Sequence, residues 1–231
     1  MKNDIYRERP FMVFLSRLFD ILVLNFLCLL LCIPVITAAD AISSMYYVMM
    51  RMIRDEDTGT FHDFFHFFAG NFLKSLPFAI ILTAVNGMLY FWLIGMAFSS
   101  RTSPAGFGAV IALTSLSIIL FAWVLLLFAR FDNTVGNTFG NAVRLATANP
   151  ARSLALLAVN GLMTGWFLIS PDTFVYILAI WLFLGIGTAG YVSARLALPV
   201  FDALMPEKET IPDPLEEEKD DEGTGKGEEG L

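Results

Sequence analysis

The stretch from residue 18 to residue 54 decides what this chain can fold into. Residues 18–36 are largely apolar, Pro34-Val35-Ile36-Thr37 interrupts them, residues 38–53 are apolar again, and Arg51 and Arg54 close the run. An α-helix rises about 1.5 Å per residue and the hydrocarbon core of a bilayer is about 30 Å thick, so the first arm is long enough to cross. The whole reads as a transmembrane helical hairpin. Its second arm is short, about 24 Å at helical rise.

Further apolar runs at 77–98, 107–129, 153–170 and 174–198 make two more hairpins. Basic residues flanking spans collect on the cytoplasmic side of a membrane. With six spans and the N-terminus inside, Lys2, Arg7, Arg9, Arg17, Arg51, Arg54, Lys74, Arg130, Arg144, Arg152, Arg195, Lys208, Lys219 and Lys226 all fall inside, and Arg101 alone falls outside. Omitting the short second span inverts every later loop and mixes these charges. The predicted topology is therefore a multi-pass protein of the cell membrane with both termini cytoplasmic. Residues 1–17, basic and amphipathic, would lead in along the inner interface.

Composition agrees with a lipid-facing exterior: 56% of the 231 residues are apolar and 16% are charged, more apolar surface than a water-soluble core of this size can hide. The lipid bilayer is the first expected partner. The formal charge of −7 is misleading, because Pro206–Leu231 holds eleven acids against three lysines, a tail of −8, and leaves +1 for the rest. This gives two predicted domains: a membrane-embedded helical domain over 1–204 and an acidic cytoplasmic tail over 205–231, too poor in large apolar residues to offset the entropy of ordering. Neither carries the basic, aromatic-interleaved surface that nucleic acid requires. Cys28 and Cys32 share a helical face without a metal or redox spacing and read as packing residues.

Between the second and third spans, Phe61, Phe64, Phe65, Phe68 and Phe72 recur at helical spacing, while His62, Asp63 and His66 fall elsewhere on the wheel. That pattern predicts an amphipathic elbow helix on the inner membrane surface. Asp63, Phe64 and Phe65 are its expected partner-facing residues. His62 and His66 share a face, but the sequence fixes no third ligand beside them, so no metal site is expected.

Shifted by 78 residues, Phe61, Phe64, Phe65, Phe68 and Asn71 fall on Phe139, Ala142, Val143, Ala146 and Asn149, which predicts a second elbow. Lys74-Ser75-Leu76 then matches Arg152-Ser153-Leu154, and Ala84-Val85-Asn86-Gly87 matches Ala158-Val159-Asn160-Gly161 after one extra helical turn in the earlier copy. A fainter copy places Arg17 eight residues before Asn25, as Arg152 lies before Asn160. The architecture predicted is an all-α polytopic bundle of six transmembrane helices in three parallel hairpins, with cytoplasmic amphipathic elbow helices. Asn25, Asn86 and Asn160 would meet as a polar layer if the hairpins share an axis, acting as helix glue or as a substrate site. Near the span ends, an i,i+3 pair of Arg17 with Asp20 and N-terminal capping by Asp40 are expected.

Ile33-Pro34-Val35-Ile36-Thr37, Ala41, Tyr46-Tyr47 and then Asp63-Phe64-Phe65 with Phe68, Asn71 and Phe72 resemble the YesL-like family of small integral membrane proteins of Gram-positive bacteria. The likeness covers about residues 10–204. It implies a domain of unknown function whose genes often lie beside carbohydrate-uptake systems and polysaccharide-degrading enzymes. Ala39 stands where that family often has glycine, and Asp40 where it usually has an uncharged residue.

The chain shows no Ser-His-Asp order, HExxH, Walker sequence, GxGxxG or paired carboxylate at span depth, so no enzyme, catalytic residue or cofactor is expected. From the resemblance, the leading reading is an accessory or regulatory component of carbohydrate import, with a carbohydrate ABC importer as partner. A carrier or channel for small molecules and a membrane enzyme remain as alternatives. A carrier predicts a hydrated midplane cavity bearing the asparagines. An accessory protein predicts a filled core and a small-residue groove for a partner helix at Gly185, Gly187 and Gly190.

Overall fold

The computed structural model describes residues 10–56, 59–97, 99 and 103–204. Arg101, the basic lead-in before Pro10 and the acidic tail from residue 205 lie outside the described residues. The chain divides after Leu198 into two units, and of the second only residues 199–204, the end of the last helix, are described.

Every regular element among the described residues is helical: α1 (Pro10–Cys32), a 3-10 turn (Val35–Thr37), α2 (Ala38–Ile53), α3 (Thr60–Ala97), α4 (Pro104–Arg130), α5 (Val135–Ala148), α6 (Pro150–Ile169), α7 (Pro171–Ile180), a π turn (Trp181–Gly185) and α8 (Ile186–Leu204). Among the described residues four stretches are long and apolar enough to cross a membrane: Met12–Cys32, Thr60–Met96, Pro104–Arg130 and Tyr176–Leu204.

Local sequence explains the breaks. Pro34 disfavours helix at Ile33, and the Thr37 hydroxyl closes the bend by donating to the carbonyls of Leu31 and Pro34. Pro104, Pro150 and Pro171 each open a helix, where the missing N–H has no intrahelical partner to lose. Ser103 caps α4 by accepting the Gly106 N–H at 3.2 Å.

The structure differs from the sequence reading at the first elbow. Residues 60–72 are not a separate interfacial helix but the first part of α3, which runs unbroken from Thr60 to Ala97 with Pro77 inside it. Proline removes only the bond to the Leu73 carbonyl, and helical residues on both sides carry the helix through. The second elbow, α5, is separated from α6 at Asn149-Pro150.

α2 is the inner helix. Eleven of its sixteen residues are buried, among them Met45, Tyr46, Met49 and Met50, as expected of a short apolar helix surrounded by protein. It packs on α1, on the first part of α3 and on α4. The last turns of α4, Ala122–Ala129, are buried without interruption. Phe14, Phe19, Leu30, Leu73 and Phe91 stay exposed, an apolar exterior of the kind that lipid covers.

Candidate functional site

The three asparagines reach three different partners. Asn25 on α1 donates its amide to the Leu182 carbonyl at 2.7 Å and accepts the Gly187 N–H at 2.8 Å. Leu182 and Gly187 are five residues apart, the pair that a π-type bond would join. One side-chain amide thus stands between the two ends of that bond.

Asn86 on α3 donates to the Leu82 carbonyl at 2.8 Å and accepts the Ser117 hydroxyl of α4 at 2.9 Å. Asn160 on α6 donates to the Leu156 carbonyl at 2.9 Å and to the Ser193 hydroxyl of α8 at 3.1 Å. Among the described residues no bond joins one asparagine to another. Both amides donate to the carbonyl four residues back and meet a serine of a later helix, Asn86 as the acceptor and Asn160 as the donor. Asn71 and Asn149 likewise donate to the carbonyls four residues back, those of Phe67 and Leu145.

At one end of α2, Arg51 gathers a knot. Its guanidinium lies 3.2 Å from an Asp63 oxygen, donates to the Tyr47 hydroxyl at 3.3 Å and reaches the Glu56 carbonyl at 2.6 Å. Tyr47 stacks on Phe67 with ring centroids 4.6 Å apart. Phe67 touches Phe128, Phe128 touches Phe78, and Phe78 touches Phe139, so one chain of rings links α2, α3, α4 and α5.

This packing changes the expected partner surface. Asp63 is 2% and Phe64 0% exposed, whereas Phe65 is 46% exposed. Of the three, only Phe65 presents surface, together with exposed Phe61. Periodicity put Asp63 off the phenylalanine face but could not show that its own face meets α2. The His62 and His66 rings stack 5.9 Å apart, and His62 Nδ1 is 3.4 Å from the Asp63 carboxylate.

Three other local expectations change. Arg17 reaches Asp55 at 2.6 Å, while Asp20 accepts the Thr60 hydroxyl at 2.8 Å, so both tie α1 to the loop and helix that follow α2. Asp40 makes no capping bond. The glycines face inward rather than forming a groove for another chain. A Cβ on Gly187 would stand 2.8 Å from the Ile21 carbonyl oxygen, and one on Gly190 2.6 Å from Met45 Cε. Small residues here let α8 approach α1 and α2. Cys28 and Cys32 are free thiols with sulfurs 3.8 Å apart.

Apolar hollows lie between the helices and along α1. A cleft of about 310 Å³ is lined by Leu93 of α3, Ile111, Thr114 and Ile118 of α4, and Leu157 and Gly161 of α6. A hollow of about 430 Å³ runs along α1 between Phe19, Phe26 and Leu30, with Phe61 at its edge. No asparagine of the three lines either.

The apolar helices of spanning length fit an integral membrane protein. The family model described as "Protein of unknown function, DUF624" matches residues 21–93, the segment containing the second half of α1, all of α2 and most of α3. No curated protein and no solved structure matches the chain.

Proposed function

We propose that the protein crosses the cell membrane six times with both termini cytoplasmic, and that it is an accessory or regulatory component of carbohydrate import rather than an enzyme. The observation that carries the accessory reading is how the three asparagines are engaged. Each asparagine is engaged in a helix-to-helix bond, as glue requires, and Gly187 and Gly190 of α8 pack closely against α1 and α2. A sugar needs convergent polar groups, whereas both hollows are lined chiefly by apolar side chains. The resemblance to a family that accompanies sugar importers supplies the substrate class. The α1 hollow and its exposed neighbours Phe61 and Phe65 are the surface we assign to a partner such as a carbohydrate ABC importer.

The test pairs deletion with reconstitution. Deleting the gene should lower growth or uptake on one particular glycan, while the purified protein alone in liposomes moves no sugar. Saturable sugar flux through such liposomes would establish a carrier instead.

A further inference from the structure

Asp40 is a carboxylate in the wrong surroundings for a structural acid. It sits in the first turn of α2, 0% exposed, and neither of its oxygens meets a hydrogen-bond donor among the described residues. A buried carboxylate without a donor is among the most costly groups a fold can hold, and inside a membrane protein such a group marks function by default.

Its neighbours sharpen the point. Ser43 and Ser44 lie three and four residues on, on the same face of α2, and both are fully buried. The Ser43 hydroxyl gives its proton to the Ala39 carbonyl at 2.8 Å, and the Ser44 hydroxyl to the Asp40 carbonyl at 2.7 Å. Ser75 of α3, 1% exposed, lies beside the carboxylate; as placed its hydroxyl gives its proton to the Phe72 carbonyl at 2.8 Å, and turned the other way it would give it to Asp40. A hydroxyl has one proton, and those of Ser43 and Ser44 are committed to the backbone. What those two have left is oxygen lone pairs. The cluster is rich in acceptors and poor in donors, and a cation is what completes it.

The charge balance selects the kind of cation. On the elements packed against α2, the 3-10 turn has no titratable group and α4 has none before Arg130. On α1 this end has Cys28 and Cys32. On α3, Lys74 is turned to Asp132, with its Nζ at 2.9 Å. α8 meets α2 at Met45 and Met49 and carries Tyr191 and Arg195. On α2 itself, Arg51 is three turns away and paired with Asp63. One carboxylate with neutral hydroxyls balances a single positive charge. A divalent ion would keep net charge in a dry site and commonly asks for six or more oxygens.

We infer that Asp40, with the hydroxyl oxygens of Ser43, Ser44 and Ser75, forms a buried site for a monovalent cation, a proton or sodium. Entry is short, because the carboxylate lies about one helical turn inside the exposed tip Ile33–Ile36. This site is independent of the importer reading.

The test uses the full chain in mild detergent, wild type and Asp40→Asn, melted across a pH series in choline chloride and again in sodium chloride. A ligand bound only by the folded state raises the melting temperature. For a proton, wild-type Tm rises as pH falls, and the dependence flattens in Asp40→Asn. For sodium, Tm rises at constant pH when sodium replaces choline, and the variant loses that shift. Ser75→Ala keeps the carboxylate and should weaken the sodium shift while sparing the proton effect. If Asp40→Asn does not fold, labelling of wild-type Asp40 by a hydrophobic carbodiimide, read by peptide mass spectrometry, decides instead. Adduct that increases as pH falls, or that sodium but not choline suppresses, supports the site. Identical pH and salt dependence in wild type and Asp40→Asn overturns it, as does carbodiimide labelling that responds to neither pH nor sodium.

Discussion

Asn25 and Gly187, 162 residues apart in the chain, are joined by a 2.8 Å bond from the glycine N–H to the asparagine side-chain oxygen. The same asparagine returns its own N–H to Leu182, so α1 is fastened to the last long helical stretch where that stretch is π-wound. A π turn leaves the backbone ladder irregular, and in a low-dielectric interior an unmet polar group is costly. The amide of Asn25 serves as a peptide group lent from a neighbouring helix. Gly187 makes this possible, since any Cβ there would strike the backbone of α1.

Asn25→Leu should therefore destabilise the protein more than Asn86→Leu or Asn160→Leu. Hydrogen bonds between membrane helices average about 0.6 kcal/mol, and that is the loss expected for Asn86→Leu and Asn160→Leu. Asn25→Leu, which strips a partner from two backbone groups, should cost about 2 kcal/mol. Because the three amides have separate partners, paired substitutions should add within about 0.5 kcal/mol. Denaturation in mixed detergent measures all of this, and strong coupling between Asn25→Leu and Asn86→Leu would show that the amides share a site after all.

The two inward-facing glycines should respond differently to a single methyl group. At Gly190 the obstacle is Met45 Cε, the far end of a flexible side chain, which can turn aside at a cost of less than about 1 kcal/mol. At Gly187 it is the Ile21 carbonyl oxygen at 2.8 Å, which moves only if α1 moves, and overpacking of that kind costs about 1–3 kcal/mol. Gly187→Ala should lower the melting temperature clearly more than Gly190→Ala. The reverse order would mean that α1 and α8 are not held at this separation.

Asp63 and Phe65 separate folding from docking. Asp63→Asn removes the charge opposite Arg51 in a nearly dry site. Arg51 keeps about a quarter of its side chain exposed, so solvent screening holds the expected loss to about 2 kcal/mol, below the 3–5 kcal/mol of fully buried pairs. Any loss of function in that variant would be confounded by instability. Phe65→Ser, on an exposed residue, should leave stability within about 0.5 kcal/mol while reducing growth on the affected glycan. Normal growth with Phe65→Ser would remove this surface from the partner interface.

Much of the helix layout was legible in the sequence, because apolar runs end for local reasons, as at Pro34. The side facing each neighbour was not. In water an apolar stripe marks the core, but in a lipid-facing protein Phe64 against α2 and Phe65 on the surface are chemically alike, and periodicity groups them together. The continuity of α3 through Pro77 was hidden for a related reason: proline and flanking charge normally mark a boundary, and tertiary packing overrides them. Asn25, Asn86 and Asn160 stood out as polar groups within apolar runs, yet their separate partners depend on helix packing that local sequence does not encode. Asp40 was visible as an unusual residue, but its want of a donor could be seen only once Ser43, Ser44 and Ser75 had been placed.

The number of crossings rests on α2, and an impermeant thiol reagent applied to intact cells measures it. α2 is only about 24 Å long at helical rise, less than the hydrocarbon thickness, and it is wrapped by α1, α3 and α4. Neighbours can carry such a helix through a bilayer, and Arg51 can extend toward the interface from its end. In a background without Cys28 and Cys32, single cysteines replacing Arg101 and Asp172 should react from outside, and cysteines replacing Thr58 or placed in the acidic tail should react only after the cells are opened. Thr58 is the decisive position, since it follows α2 directly. Labelling of Thr58→Cys in intact cells would mean that α2 turns back without crossing, and the six-span topology would fall with it.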